Sequence, residues 1–257
     1  KKGTLIKPET LSFLASVGLN NIYVYKKVSI GFFTSGNELK NPTTKLIGSQ
    51  INNSNRFALY SLLKKSGFDV IDLGVLKDNR RKINKSLTKA SKKFDILITS
   101  GGASVGDEDH LINVLREIGK INFWKIAIKP GRPLAFGEIN KRPIFCLPGN
   151  PVSVFLLFAM IVKPFLLKLS GTKWQNPKHI LAKINFSMKK KTQRMEWLRV
   201  NVKKTNSNEL IVKKFPKQGS GIISSIVFSD GIIEIPENKS FLKPGDVFKF
   251  YPSETLY

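Results

Sequence analysis

At 257 residues and 41% hydrophobic content, the chain is long enough to bury one large domain, or an ordinary one plus a small one, which excludes global disorder. A single cysteine, Cys146, excludes an internal disulfide, and two histidines leave no Cys/His zinc set, so any metal is expected to be a hard cation on carboxylates. The net charge of +25 admits nucleic acid, an acidic membrane surface or a small anion; because the lysines are spread along the chain, most of it reads as compositional drift, with a few cations facing an anionic ligand.

The chain opens on Lys1-Lys2-Gly3-Thr4 without an apolar run behind it, so no signal peptide is read. Residues 8–17 predict a short helix, with Pro8 in its first turn and Gly18 just past its end. Strands and helices then alternate. Val28–Phe33 is a strand, Ser54–Ser66 a helix stopped by Gly67, and Phe68–Leu73 a strand. Asn79–Lys93 is a helix with Ile83, Leu87 and Ala90 on one side, followed by a strand at Phe94–Thr99 and a helix at Glu108–Ile118. Two or three strands are expected between Ile121 and Leu147, then an apolar helix from Pro151 to about Leu169. Its longest apolar stretch, Val154–Val162, ends at Lys163-Pro164, short of the roughly 20 residues that cross a bilayer, so no membrane partner is expected. This order predicts an α/β domain, a mostly parallel sheet sandwiched by helices.

After Gly171 the pattern changes to short strands: Ile180–Met188, Met195–Val202, Leu210–Val212, Ile232–Ile235 and Val247–Phe250. A small all-β C-terminal domain is predicted. The division is 1–21 as a linking region with the short helix, 22–172 as the α/β domain and 173–257 as the β-rich domain.

In an open parallel sheet, ligands bind outside the carboxyl ends of the strands, so the loops there are the candidates. Thr34–Leu39 brings Glu38, which reads as a solvated carboxylate or as a ligand for a ring or a metal. In Gly74–Asn79, Asp78 reads better as a helix N-cap than as a site. Ser100–Asp109 carries Gly101, Gly102, Ser104 and Gly106 ahead of Asp107, Glu108 and Asp109. Glycines there let backbone N–H groups approach a phosphate, and magnesium between carboxylate and phosphate reconciles them with the acids.

Within Trp124–Pro133, Lys125, Ala127 and Lys129 would share one face of a strand, their backbones about 13 Å apart, as an anion-binding strip or as an edge strand blunted by lysines. Leu147–Ser153 pairs Asn150 as N-cap with Pro151 at N1, and leaves Ser153 as an oxyanion contact. In the β-rich part, Arg194–Arg199 and Gln218–Gly221 offer Arg199 and Ser220 to a tetrahedral oxyanion, although a lone arginine is more often ion-paired or at the surface.

Taken together, Thr34–Leu39, Gly101–Gly106 with Asp109, Phe123–Lys125, Lys129–Pro133, Leu147–Ser153 and Gln218–Ser220 resemble the molybdopterin molybdenumtransferase family, of the bacterial MoeA and gephyrin E-domain type, over nearly the whole chain. The resemblance implies a reaction in which molybdate is inserted into adenylyl-molybdopterin with release of AMP, assisted by magnesium. It assigns Asp109, Lys125, Lys129 and Asp78 to catalysis, and Glu38, Asp78 and Asp109 to the metal. Gly101, Gly102, Ser104, Gly106, Glu38, Ser153, Arg199 and Ser220 are assigned to ligand binding. It further implies a cytoplasmic homodimer in the full-length form, in which two further N-terminal domains help complete the cleft. Asn37 and Asn53 stand where the family usually has Asp, so weaker metal binding is expected. Three other readings are a non-catalytic pterin-binding scaffold of the same family, a molybdopterin adenylyltransferase, which would lack the β domain, and a nucleic-acid binder. The last rests on charge alone, without interleaved aromatic residues.

Overall fold

The computed structural model describes residues 1–102, 110–203 and 209–257. Its first sheet has the order β4 (Asp69–Leu76), β1 (Ser29–Ser35), β5 (Ile96–Ser100), β9 (Arg142–Leu147), β8 (Ala135–Ile139), β6 (Gly119–Trp124). The first four run parallel, and β8 and β6 add an antiparallel hairpin at one edge. Successive side chains of a strand point to opposite faces, and the cores divide accordingly. Ile30, Phe32, Ile96, Ile98, Phe145 and Leu147 enter one core, whereas Phe33, Leu97, Ile144 and Cys146 enter the other. The first core is covered by α2 (Ser54–Lys65) and by α5 (Pro151–Leu157) with its continuation; the second is covered by α3 (Arg80–Ser91) and α4 (His110–Ile118). The predicted sandwich of helices around a mostly parallel sheet is therefore present.

Local chemistry sets the helix ends. Asn53 caps α2 by accepting from the Arg56 N–H at 3.2 Å, and Asn79 caps α3 by accepting from the Lys82 N–H at 3.0 Å. The cap is thus Asn79, not Asp78, whose carboxylate is left at the surface. Asn53 is buried and also donates to Thr34 Oγ1 at 2.7 Å, so its amide serves both a cap and a strand contact. A short parallel pair, β2 (Leu39–Lys40) and β3 (Ile51–Asn52), frames the chain between β1 and α2. The N-terminal helix α1 (Pro8–Ser16) buries none of its residues.

One carboxylate ties the start of β5 to β1. Asp95 Oδ2 accepts from the Ser29 N–H at 3.0 Å and the Ser29 hydroxyl at 2.8 Å, and Oδ1 accepts from Arg142 at 3.3 Å. Partial burial pushes this carboxyl up, but the two Ser29 bonds and the charges of Lys26 and Arg142 outweigh it and hold it below 3.8. A group with a depressed folded pKa contributes fully above its unfolded value and loses that contribution as pH falls through the folded one. Asp95→Asn is therefore expected to cost about 1–2 kcal/mol at pH 7 and to flatten the loss of stability below pH 3.8. Urea denaturation at pH 7 and pH 3 checks this; equal losses for both proteins across that interval would refute it.

The apolar helix runs from Pro151 to Leu169, as its sequence predicts. Lys163-Pro164 does not end it: α5 passes through a π-helical segment (Phe158–Val162) into α6 (Lys163–Leu169). The wider turn relieves the clash of the Pro164 ring with the carbonyl four residues back. The resulting 19-residue helix is long and apolar enough to cross a membrane by length and composition. In this fold it is a core element, with Val152, Val154, Leu156, Leu157, Phe158 and Val162 fully buried.

In the second sheet, five strands close into a small barrel: β13 (Ile211–Lys214), β10 (Ile180–Ile184), β16 (Val247–Pro252), β14 (Gly231–Ile235) and β12 (Met195–Lys203), with β12 returning to β13. The expected Ile180–Met188 strand is in fact β10 followed by β11 (Met188–Lys189), which pairs with β15 (Phe241–Leu242), a strand the sequence did not announce. Two helices of four residues each, α7 (Ser224–Val227) and α8 (Ser253–Leu256), place Ile226 and Leu256 in the core that the barrel shares with the α/β domain.

The strip from Lys125 to Lys129 is not one strand. Lys125 takes a positive φ of 67° and ends β6, and only β7 (Ile128–Lys129) is extended. Its partner is in the barrel: Ile128 pairs with Met195 and Lys129 with Glu196, parallel to β12. The tip of the β6–β8 hairpin is closed by Lys125 N–H to Leu134 O at 3.1 Å and Ile126 N–H to Arg132 O at 3.0 Å. Below it the two domains share one core, with Trp197, Ile226, Ile232, Tyr251 and Leu256 packed into the same cluster as Ile128, Leu134 and Val152.

Candidate functional site

The carboxyl ends of β1, β4, β5 and β9 meet along one edge. Gly101 follows β5 with φ +88°, and a Cβ there would lie 2.1 Å from the Ser35 carbonyl oxygen. Its N–H donates to Leu147 O at 3.0 Å, so this glycine serves the close approach of three loops rather than offering a free donor to a phosphate. Gly102, φ +66°, packs against Ser35 Oγ and Leu111. Asn55, at the start of α2, locks the same edge by donating to Ser100 Oγ at 3.0 Å and Gly149 O at 2.7 Å, while Ser100 Oγ donates to Pro148 O at 3.2 Å. Nothing in the sequence singled out Asn55, because an Asn in a first helical turn reads as a capping residue.

Beside this edge, Asn37 Oδ1 accepts from the Asp78 N–H at 3.2 Å, which places the Glu38 and Asp78 loops next to each other. Both carboxylates are exposed, and that of Glu38 folds back over Gly36. Among the described residues no group of three or more His, Cys, Asp or Glu surrounds a common point. Two hard carboxylate donors on adjacent loops fit magnesium of the kind that keeps several waters and is completed by substrate phosphate, rather than a cation caged by protein alone. Asp109, Ser104 and Gly106 lie outside the described residues.

A cavity of about 300 Å³ opens between the α/β domain and the barrel. Lys129, Arg132, Ser153, Glu196, Arg199 and Ser220 line it. Of the predicted residues, Lys129, Ser153, Arg199 and Ser220 thus come together; Glu38, Asp78 and Lys125 are not in its lining. Lys125 lies instead at the foot of the hairpin tip, its Nζ 4.0 Å from the centre of the Trp124 ring, where a cation is held by the π face.

Each element of the cavity is fixed by a specific bond. The hairpin tip carries Lys129 to Glu196 through β7. Gln218 clamps the barrel turn to β12: its Oε1 accepts from Arg199 N–H at 3.1 Å, and its Nε2 donates to Arg199 O at 2.7 Å and Phe215 O at 2.9 Å. Ser220 O then accepts from the Val152 N–H at 3.0 Å, joining that turn to the first turn of α5 beside Ser153. Ser153 and Ser220 are brought together by this bond although they lie far apart in the chain.

Arg199 is the unusual member. Its side chain is 1% exposed, yet every described hydrogen bond it makes is to a neutral acceptor: Nε to Ser225 Oγ at 3.1 Å, and the terminal nitrogens to Trp197 O at 3.4 Å and Gly219 O at 3.3 Å. Burial lowers its pKa from 12.5 to about 10, with Tyr257 opposing, so it remains a cation at neutral pH. The Tyr257 hydroxyl is buried without a hydrogen-bond partner, and burial pushes that phenol above its usual 10 while Arg199 opposes. A buried guanidinium that has no carboxylate partner among the described residues suits an anion from outside. Lys129 differs: its Nζ lies 2.6 Å from Glu196 Oε1, to which the Arg194 guanidinium is also paired at 3.4 Å. Glu196 is the functional-looking group that reasoning from sequence missed. Its alternation with Trp197 and Leu198 gave no sign that a carboxylate would be buried.

Residues 31–168 match the family described as a probable molybdopterin binding domain, and residues 182–253 match the MoeA C-terminal region, domain IV. The chain is 36% identical over 257 residues to a Haemophilus influenzae protein named molybdopterin molybdenumtransferase, covering 100% of this chain and 64% of that one. It is 33% identical over 247 residues to the Drosophila melanogaster molybdenum cofactor synthesis protein cinnamon, covering 92% of this chain and 40% of the relative. A crystal structure of the molybdopterin biosynthesis moea protein from Pyrococcus horikosii superposes with a TM-score of 0.82 at 28% identity, covering 98% of this chain and 61% of that one. The chain therefore spans less than two thirds of the length of each.

Proposed function

Because this chain belongs to the molybdopterin molybdenumtransferase family of the MoeA type, we propose that its interdomain cavity receives molybdate while the adjoining sheet edge holds an adenylated pterin, so that molybdenum passes to the dithiolene and AMP is released. The observation that carries the reading is Arg199, a buried cation with only neutral partners among the described residues, on the wall of a cavity that has room for a tetrahedral oxyanion. Arg199 and the Ser220 hydroxyl supply donors to such an anion, and Ser153, at the first turn of α5, adds a third. Lys129, which also lines the cavity, offsets negative charge that gathers on the substrate phosphate, and Lys125 stands at the base of the same tip. Glu38 and Asp78 would hold magnesium at the sheet edge, where the ion shields the phosphoanhydride. The two ligands then meet in fixed geometry, and positioning lowers the barrier.

The barrel supports this reading over a stand-alone adenylyl transfer, since Arg199 and Ser220 both come from it. In the test, adenylated pterin and magnesium are bound first and AMP is followed by chromatography after molybdate is added. Release is expected to depend on molybdate, and Lys129→Ala is expected to slow it about 100-fold. Molybdate-independent release, or an unchanged rate in Lys129→Ala, would remove the assignment.

A further inference from the structure

A carboxylate is out of place in a pocket built for an oxyanion, yet Glu196 is 2% exposed and lines the same cavity as Arg199. Its Oε1 takes both the Lys129 ammonium at 2.6 Å and the Arg194 guanidinium at 3.4 Å. Arg194 keeps a further donor in reserve, because its Nε is buried and has no hydrogen-bond partner. The wall is therefore divided: among the described residues two of its cations, Lys129 and Arg194, are engaged by an internal anion, and two, Arg132 and the buried Arg199, are not.

Resting on the reading of this cavity as an oxyanion site, we propose that Glu196 is a specificity-determining residue, an internal counter-anion that limits how much negative charge an entering ligand may carry. The physical reason is Coulombic. The repulsion from a fixed carboxylate grows in proportion to the charge of the incoming ion, so a dianion such as molybdate meets a modest barrier and a polyphosphate a larger one. The same carboxylate offsets part of the charge of Lys129 and Arg194, leaving Arg199 as the buried positive charge in the cavity wall without a carboxylate partner among the described residues. A condensed phosphate, which would be drawn strongly to the four lining cations, thereby loses more of that attraction than a single tetrahedral dianion does. The selection is one of charge, since the cavity of about 300 Å³ is roomy enough to leave size undecided.

Calorimetric titration with molybdate and with pyrophosphate, at one pH and one ionic strength, tests this on the chain and on Glu196→Gln. The unsubstituted chain is expected to bind molybdate at least about 10-fold more tightly than pyrophosphate. In Glu196→Gln molybdate should gain about 10-fold and pyrophosphate about 30-fold or more, narrowing the ratio. Equal gains for both ions, or none, would overturn the proposal while leaving the oxyanion site standing. Failure of the unsubstituted chain to bind molybdate at all would overturn the site and the proposal together. Should Glu196→Gln not fold, as read from its thermal melt, the comparison within the unsubstituted chain decides, and a preference below that level counts against the proposal.

Discussion

Arg199→Met is expected to weaken molybdate binding about 100-fold or more while leaving the fold within about 1 kcal/mol of its original stability. The two halves of this result have one cause. A guanidinium that is 1% exposed and bonded only to Ser225 Oγ and two carbonyls gains little from its surroundings for the hydration it gives up. Methionine occupies a similar space without a charge, so its loss of three modest hydrogen bonds is offset by the desolvation avoided. The anion, by contrast, loses a buried cation that Glu196 does not engage. Calorimetry with molybdate and urea denaturation, run side by side, separate the two. A drop of several kcal/mol in stability together with intact binding would show Arg199 to be a structural hub instead.

Lys190→Met is expected to behave in the opposite way, costing about 3 kcal/mol of stability. Lys190 is 8% exposed, and its ammonium donates to Arg194 O at 2.6 Å, Pro236 O at 2.9 Å, Lys191 O at 3.2 Å and Lys239 O at 3.3 Å. Burial lowers its pKa from the usual 10.5, with Glu196 opposing. Four carbonyls converging on one ammonium knit the chain between β11 and β12 to the turn after β14, and an apolar side chain would leave them without a donor. Because Arg194 belongs to the segment between β11 and β12 and its guanidinium pairs with Glu196, molybdate affinity should fall as well. A change below about 1 kcal/mol in a urea titration would mean that water replaces the ammonium at little cost.

Much of the architecture was legible before any coordinates. Periodic apolar residues such as Ile83, Leu87 and Ala90 announce a helix, and runs such as Ile96-Leu97-Ile98 announce a strand buried on both faces, because burial itself imposes those patterns. What the pattern could not carry is structure decided by a distant partner. β7 is two residues long and exists because β12 lies beside it, so the Lys125–Lys129 strip reads as one strand until Lys125 is seen to turn with φ 67°. Likewise, Asp78 and Asn79 are equally good caps on paper, and only the backbone path chooses the second.

The candidate site divided along the same line. Lys129, Ser153, Arg199 and Ser220 were named for their chemistry and do share a cavity. Gly101 was named for offering a backbone donor, but its N–H is already taken by Leu147 O and its missing Cβ makes room for Ser35. Glu196 and Asn55 went unnoticed because burial of a polar side chain leaves no periodic trace in sequence.

A crevice between two modules ordinarily breathes, opening to admit a ligand and shutting over it. Here the hairpin tip is woven into the barrel and a single apolar mass runs beneath both halves, so such a gape would tear β-sheet hydrogen bonds and expose Trp197 and Ile232. For the ligand proposed above, entry and exit would fall to rotamer swings of the exposed residues Lys129 and Arg132, a nanosecond motion rather than the micro- to milliseconds of domain travel. The walls of the vessel stay put, and exchange happens at its mouth.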